Sequence, residues 1–149
     1  MNAGKPSGLY FGFDYGEKYI GVASGDSETG ICSPLAVIRN HSGTPDWQVL
    51  DKHISTWQPV AVVVGLPVHM DGSAQALTAH ANGFLKRLKK RYNLPAFGCD
   101  ERMTTRMAAS LVRDNRARSK RRTTSKADLD TIAAALILET WFRTSHEND

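Results

Sequence analysis

The sequence predicts an α/β domain built on a five-stranded mixed sheet, an antiparallel three-strand meander joined to two parallel strands, with helices on both faces. Three observations predict it. Residues 9–14, 18–24 and 33–39 are aromatic and β-branched runs separated by Gly, Ser, Asp and Pro at short intervals, which makes three strands joined by tight turns. "VAVVVG" (60–65) is a short continuous Val-rich run, the pattern of a central strand covered on both faces. Helical patterns then alternate with short apolar runs, the order that crossover connections to parallel strands require.

In order along the chain, Trp47, Leu50, Ile54 and Trp57 fall at helical spacing after a Thr-Pro-Asp start, and Pro59 ends that run. Both tryptophans are expected in the core. Residues 74–92 form a second helix, with Ala76, Ala79, Phe84, Leu85 and Leu88 on its apolar face and "KRLKKR" on its basic one. "LPAFGCD" (94–100) is the fifth strand. "TTRMAASLVRDN" follows as a short helix capped by Thr104 or Thr105. The final helix, 129–143, is nearly all apolar and must lie against the sheet. The chain reads as one domain over residues 1–149, with its core at 9–143, short disordered termini and a mobile basic loop at 113–127.

Composition narrows the function. The chain has 149 residues, 41% hydrophobic and 23% charged, enough for one layered core but not for two lobes. No apolar run is long enough to span a bilayer and the N-terminus has no signal-peptide pattern, so a cytoplasmic protein without membrane partners is expected. Cys32 and Cys99 stand apart, which suggests neither a disulfide framework nor a zinc site, and both are read as small core residues.

The net charge of +4 is concentrated. Arg113, Arg116, Arg118, Lys120, Arg121, Arg122 and Lys126 lie within fourteen residues that hold a single acid, Asp114; the rest of the chain is slightly acidic. Such a segment suits a phosphate backbone, bound without sequence readout.

Acids mark the ends of several elements. Asp14 closes the first strand, Asp100 and Glu101 close the last, and Asp128 and Asp130 open the final helix. Sites in such sheets gather at the carboxyl ends of adjacent parallel strands. Clustered carboxylates repel one another unless protons, cationic side chains or a metal neutralise them, and hard oxygen donors favour Mg²⁺ or Mn²⁺. A pair of such ions suits phosphodiester hydrolysis. Arg102, beside Glu101, is positioned either to pair with Asp100 or to meet phosphate.

Four segments, "FGFDYGEKYIGVASGD", "VVVGLPVHMDGS", "DERMTT" and "DLDTIAAALIL", resemble in order and spacing the four blocks of the YqgF/RuvX family of ribonuclease H-like proteins. The resemblance spans about residues 9–142. It implies the ribonuclease H-like fold and a nuclease that matures the 5′ end of pre-16S rRNA in ribosome biogenesis, or, by analogy with RuvC resolvases, one that resolves Holliday junctions. Carried over by residue, it implies catalytic, metal-binding roles for Asp14, Glu101 and Asp130 in a two-ion site. Asp128 is either a further ligand or the helix cap. The chain departs from the family at Glu17, where Thr or Ser is usual and where a carboxylate is either a further ligand or a repellent of substrate. It departs again at His69, in place of the common Asn.

Partners implied are RNA, pre-16S rRNA in particular, or structured DNA, with ribosomal particles, for a monomer or a dimer. Two other readings compete: a non-catalytic RNA-binding assembly factor, and a phosphotransferase suggested by the likeness of "DYGEKYIGVA" to the phosphate hairpin of actin-like kinases. The second requires another lobe, which this length does not supply.

Overall fold

A computed structural model of the chain describes residues 5–66, 76–100 and 126–147. Nine elements follow in order: β1 (Leu9–Tyr15), β2 (Tyr19–Asp26), β3 (Cys32–His41), β4 (Thr44–Pro45), α1 (Trp47–Trp57), β5 (Ala61–Leu66), α2 (Ala76–Tyr92), β6 (Ala96–Asp100) and α3 (Lys126–Glu147). The expected short helix after residue 103 and the basic loop at 113–127 fall outside the described residues, except for the start of α3.

Among the described residues the sheet has six strands, not five, in the order β4-β3-β2-β1-β5-β6. The addition is β4, whose Thr44 and Pro45 pair with His41 and Asn40. Ser42 and Gly43 take φ of 49° and 87°, so the chain reverses in a tight hairpin before the helix instead of entering it directly. Two residues are too few to carry a strand period, which is why Thr44 and Pro45 read as a helix start. The true N-cap is Asp46, whose carboxylate accepts from the Val49 N–H at 3.5 Å. β1 is antiparallel to β2 and parallel to β5, and β5 is parallel to β6. The meander therefore passes into parallel pairing at β1.

Strand alternation divides the interior into two layers. Phe11, Phe13, Tyr15, Val62 and Val64 face α1 and α2, where they meet Leu50, Phe84 and Leu88. Tyr10, Ala61, Val63 and Cys99 face α3, which supplies Ala134, Ile137, Leu138, Trp141 and Phe142. β5 thus fills both layers, as its Val-rich run requires. Aromatic contacts fix each layer: Phe13 and Phe84 meet edge to face at 5.5 Å, and Tyr10 touches Trp141 and Phe142 at 5.3 and 5.2 Å.

One expected core residue sits elsewhere, and another packs at the core's edge. Trp57 is 47% exposed because it is the last residue of α1, one turn beyond Ile54, and Gln58 turns away in the left-handed region at φ 47°. Trp47 is half-buried, stacked on Phe84 at 5.8 Å. Cys99 is buried as expected, whereas Cys32, the first residue of β3, is only half-buried. Among the described residues no helix is long and apolar enough to cross a membrane.

Candidate active site

Asp14 is half-buried at the carboxyl end of β1. It follows Tyr10 and Gly12 on the strand's even-numbered face, the one α3 covers. The course of that helix is visible from its contacts. Trp141 and Phe142 lie over Tyr10, and Leu138 and the Ala134 carbonyl lie against Gly12. One strand repeat of two residues advances about 6.6 Å and one helical turn about 5.4 Å, so each step along β1 meets the preceding turn of α3. The next step brings Asp14 toward the turn containing Asp130.

Gly21 makes that approach possible. It is the register partner of Asp14 on β2, and a Cβ at this position would overlap the Asp130 carbonyl. The bare backbone lets α3 settle directly on the hairpin. Asp14 and Asp130 are in this way gathered at one end of the sheet from elements 116 residues apart in sequence. The role of Gly21 is the one that sequence reasoning passed over; "IGVA" reads as ordinary strand, and only its pairing with Asp14 singles the glycine out.

The remaining predicted residues divide clearly. Asp100 pairs with Leu66, and its strand neighbour Gly98 faces Leu66 and Leu85, so alternation puts Asp100 on the α2 side, away from Asp14. Glu17 and Lys18 are exposed in the β1–β2 turn and line a cavity on the α1/α2 side. Asp128 and Lys126 lie in α3 next to the residues that are not described. Glu101, directly after Asp100 in the chain, lies outside the described residues, as do Arg102, Arg113, Arg116, Arg118, Lys120, Arg121 and Arg122, and also His69.

The donor set suits a hard divalent cation. Asp14 and Asp130 contribute carboxylates at one end of the sheet, and the opening turns of a helix favour negative charge. Among the described residues no group of three or more Asp, Glu, His or Cys side chains stands close enough to hold a metal ion. Asp14 and Asp130 are two of the three residues for which the family resemblance implies a metal role, and the third, Glu101, lies outside the described residues.

A meander that passes into parallel strands, with an acid closing the first strand beneath the C-terminal helix, is the architecture of a ribonuclease H-like domain. RuvC from Thermus thermophilus, solved in complex with a Holliday junction substrate, shares this fold at a TM-score of 0.56 and 14% identity, covering 93% of this chain and 96% of its own. The yeast mitochondrial Holliday junction resolvase Ydc2 does so at 0.56 and 13%, covering 95% and 80%. The chain itself belongs to the RuvX family, described as "RuvX: Holliday junction resolvase", which it matches over residues 8–144. Relatives named "Putative pre-16S rRNA nuclease" include one from Pseudomonas paraeruginosa, 44% identical over 95% of this chain and 96% of its own. Another, from Legionella pneumophila strain Paris, is 41% identical over 94% and 99%. Family and relatives alike carry the names of hydrolases that cut phosphodiester bonds.

Proposed function

We propose that this protein is a metal-dependent nuclease that hydrolyses phosphodiester bonds, with the 5′ end of pre-16S rRNA as its substrate. The observation that carries the reading is the convergence of Asp14 and Asp130 through Gly21 at the carboxyl end of β1. Asp14, Asp130 and Glu101 would hold two Mg²⁺ or Mn²⁺ ions, with Asp128 as a further candidate, whereas Glu17, exposed on the α1/α2 side, is poorly placed to join them. When bound, such ions lower the pKa of an attacking water and stabilise the departing alkoxide.

The chain's own residues orient and neutralise. Asp14 sits on a rigid strand, which fixes its carboxylate better than a loop would. The cations of 113–126, with Arg102, hold the polyanion so that water attacks in line and leaves a 5′-phosphate and a 3′-hydroxyl. The work belongs in the cytoplasm, on RNA or on ribosomal particles, as a monomer or a dimer.

The likeness to RuvC supports a second reading, resolution of four-way DNA junctions, which requires two copies of the site. Purified protein with Mn²⁺, incubated with pre-16S 5′ fragments and with four-way junctions, separates the two. Cleavage of the RNA at discrete positions is expected. Cleavage of junctions alone would favour the resolvase, and cleavage of neither would leave an RNA-binding assembly factor.

A further inference from the structure

The basic face of α2 has no part in the proposed chemistry. This seventeen-residue helix carries Lys86, Arg87, Lys89, Lys90 and Arg91 and not one Asp or Glu. Two of the five cations hold the fold together. Arg87 donates to the Gly43 carbonyl at 3.0 Å, Arg91 is paired with Asp51 at 2.7 Å, and both guanidinium groups lie over the Trp47 ring, at 5.7 and 4.9 Å. Lys86, Lys89 and Lys90 are exposed and make no ion pair among the described residues. They stand on the side of the helix opposite Phe84 and Leu88, which are fully buried against the sheet.

Two features of that outer stripe work against the helix's own stability. Lys86 stands three residues from Lys89 and four from Lys90, so like charges are neighbours with no acid between them. The attraction of a helix C-terminus for cations accounts for Lys89 and Lys90, in the last turn, but falls off before Lys86. The second feature is Gly83, in mid-helix, where a Cβ would meet no atom within 4 Å. Alanine would fit there and make a better helix, so packing within this chain does not call for glycine. Gly83 lies on the same stripe, three residues before Lys86 and seven before Lys90. A polyanion along the stripe accounts for both features: it neutralises the lysines, and the missing side chain lets it approach the helix closely.

We propose that the outer face of α2 is a second nucleic-acid surface, on which Lys86, Lys89 and Lys90 meet successive phosphates of a double helix whose backbone passes over Gly83. Charge complementarity gives the polyanion, and what the stripe lacks gives its form. Surfaces for single strands combine cations with aromatic side chains on which bases stack. The aromatic residues of α2 are turned away: Phe84 is buried, and the Tyr92 hydroxyl donates to Asp51 at 2.6 Å. Lys86 and Lys90 are about 6 Å apart along the helix axis, and phosphates of one strand advance about 3.4 Å along a duplex, so the lysines match adjoining phosphates. The surface is distinct from the acidic end of β1. Phe84 packs on Phe13 and Tyr15, on the odd-numbered face of β1, whereas Asp14 is on the even-numbered face that α3 covers. A duplex held on α2 is thus remote from any bond cut at Asp14, and anchors the protein to a folded part of the nucleic acid without reading its sequence.

Binding in EDTA tests it. The unmodified protein and a variant combining Lys86→Gln, Lys89→Gln and Lys90→Gln are titrated, across a range of salt, with an RNA duplex and with a single strand of the same length. A control variant replaces three exposed cations off the stripe, Lys18, Arg39 and Lys52, with glutamine. The stripe variant is expected to bind the duplex at least about tenfold more weakly, and to flatten the dependence of log K on log salt by about 0.9 for each lysine that meets a phosphate. The loss should be smaller on the single strand and smaller in the control. Gly83→Gln should melt at a higher temperature, because glutamine is the better helix former, and yet bind the duplex more weakly. No duplex binding by the unmodified protein, undiminished binding by the stripe variant or by Gly83→Gln, or an equal loss on the single strand or in the control would overturn the surface. Because no cleavage is read, failure of the nuclease reading shows separately, as an absence of Mn²⁺-dependent cleavage by the unmodified protein.

Discussion

Asp14 and Gly21 act as one unit, because the glycine's missing side chain lets α3 bring Asp130 to the end of the sheet that Asp14 closes. Gly21→Ala would drive a Cβ into the Asp130 carbonyl, a clash with backbone that no rotamer relieves. The expected cost is about 1–3 kcal/mol of stability, read as a lower urea midpoint, with a loss of cleavage larger than the fraction of unfolded protein explains. An unchanged midpoint would mean that α3 does not rest on this residue. Asn40 shows the same economy of position. The expected third strand stopped at residue 39, one short of it, and its bonds to the turn at 16–18 depend on pairing between strands, which periodicity does not report.

Among the elements, α3 and β5 carry the fold, and both announced themselves in sequence. "VAVVVG" had to be covered twice, and "LDTIAAALIL" had to be buried. Leu138 of α3 is fully buried against Gly12, so Leu138→Ala should cost about 2–5 kcal/mol in denaturant unfolding, while Trp57→Ala at the exposed end of α1 should stay within about 0.5 kcal/mol. What the sequence hid was short or terminal: β4 has no period to detect, and Trp57 keeps its helical spacing but has no neighbour beyond the last turn. The acids at element ends were equally visible, yet their sorting into Asp14 with Asp130 on one face and Asp100 on the other needed the register. Between α1 and α2, Arg91 grips Asp51 through two bonds of 2.9 and 2.7 Å, and the Tyr92 hydroxyl adds a third at 2.6 Å. The Arg91 bonds first, and then the Tyr92 bond, hold the Asp51 carboxyl below its usual range. A lowered carboxylate pKa stabilises the fold above the unfolded value near 3.9, and that contribution is lost as pH falls through the folded one. Solvent screening keeps it small. Asp51→Asn should therefore lower Tm at pH 7 slightly and lose its effect toward pH 2, as thermal melts across that range would show.

Across the whole molecule, the proposed nuclease divides charge and chemistry between regions. In that proposal Asp14 and Asp130 would hold the catalytic ions and the cations of 113–126 would hold the polyanion, so the two functions are separable. Replacing Arg121 and Arg122 with glutamate should weaken RNA binding uniformly across sequences. It should also flatten the dependence of log K on log salt by about 0.7 for each phosphate that the segment no longer neutralises on a single strand. An unchanged slope would remove the segment from the interface. The nuclease proposal itself stands on a single group, the carboxylate that closes β1. The decisive experiment is cleavage of a pre-16S 5′ fragment in Mn²⁺ by the unmodified protein and by Asp14→Asn, each purified to the same standard and shown by thermal melting to be folded. The substitution is expected to lower the cleavage rate by at least about a hundredfold, since loss of even a supporting group around a metal site costs about 10–100-fold. A folded Asp14→Asn protein that cleaves at the unmodified rate would contradict the assignment.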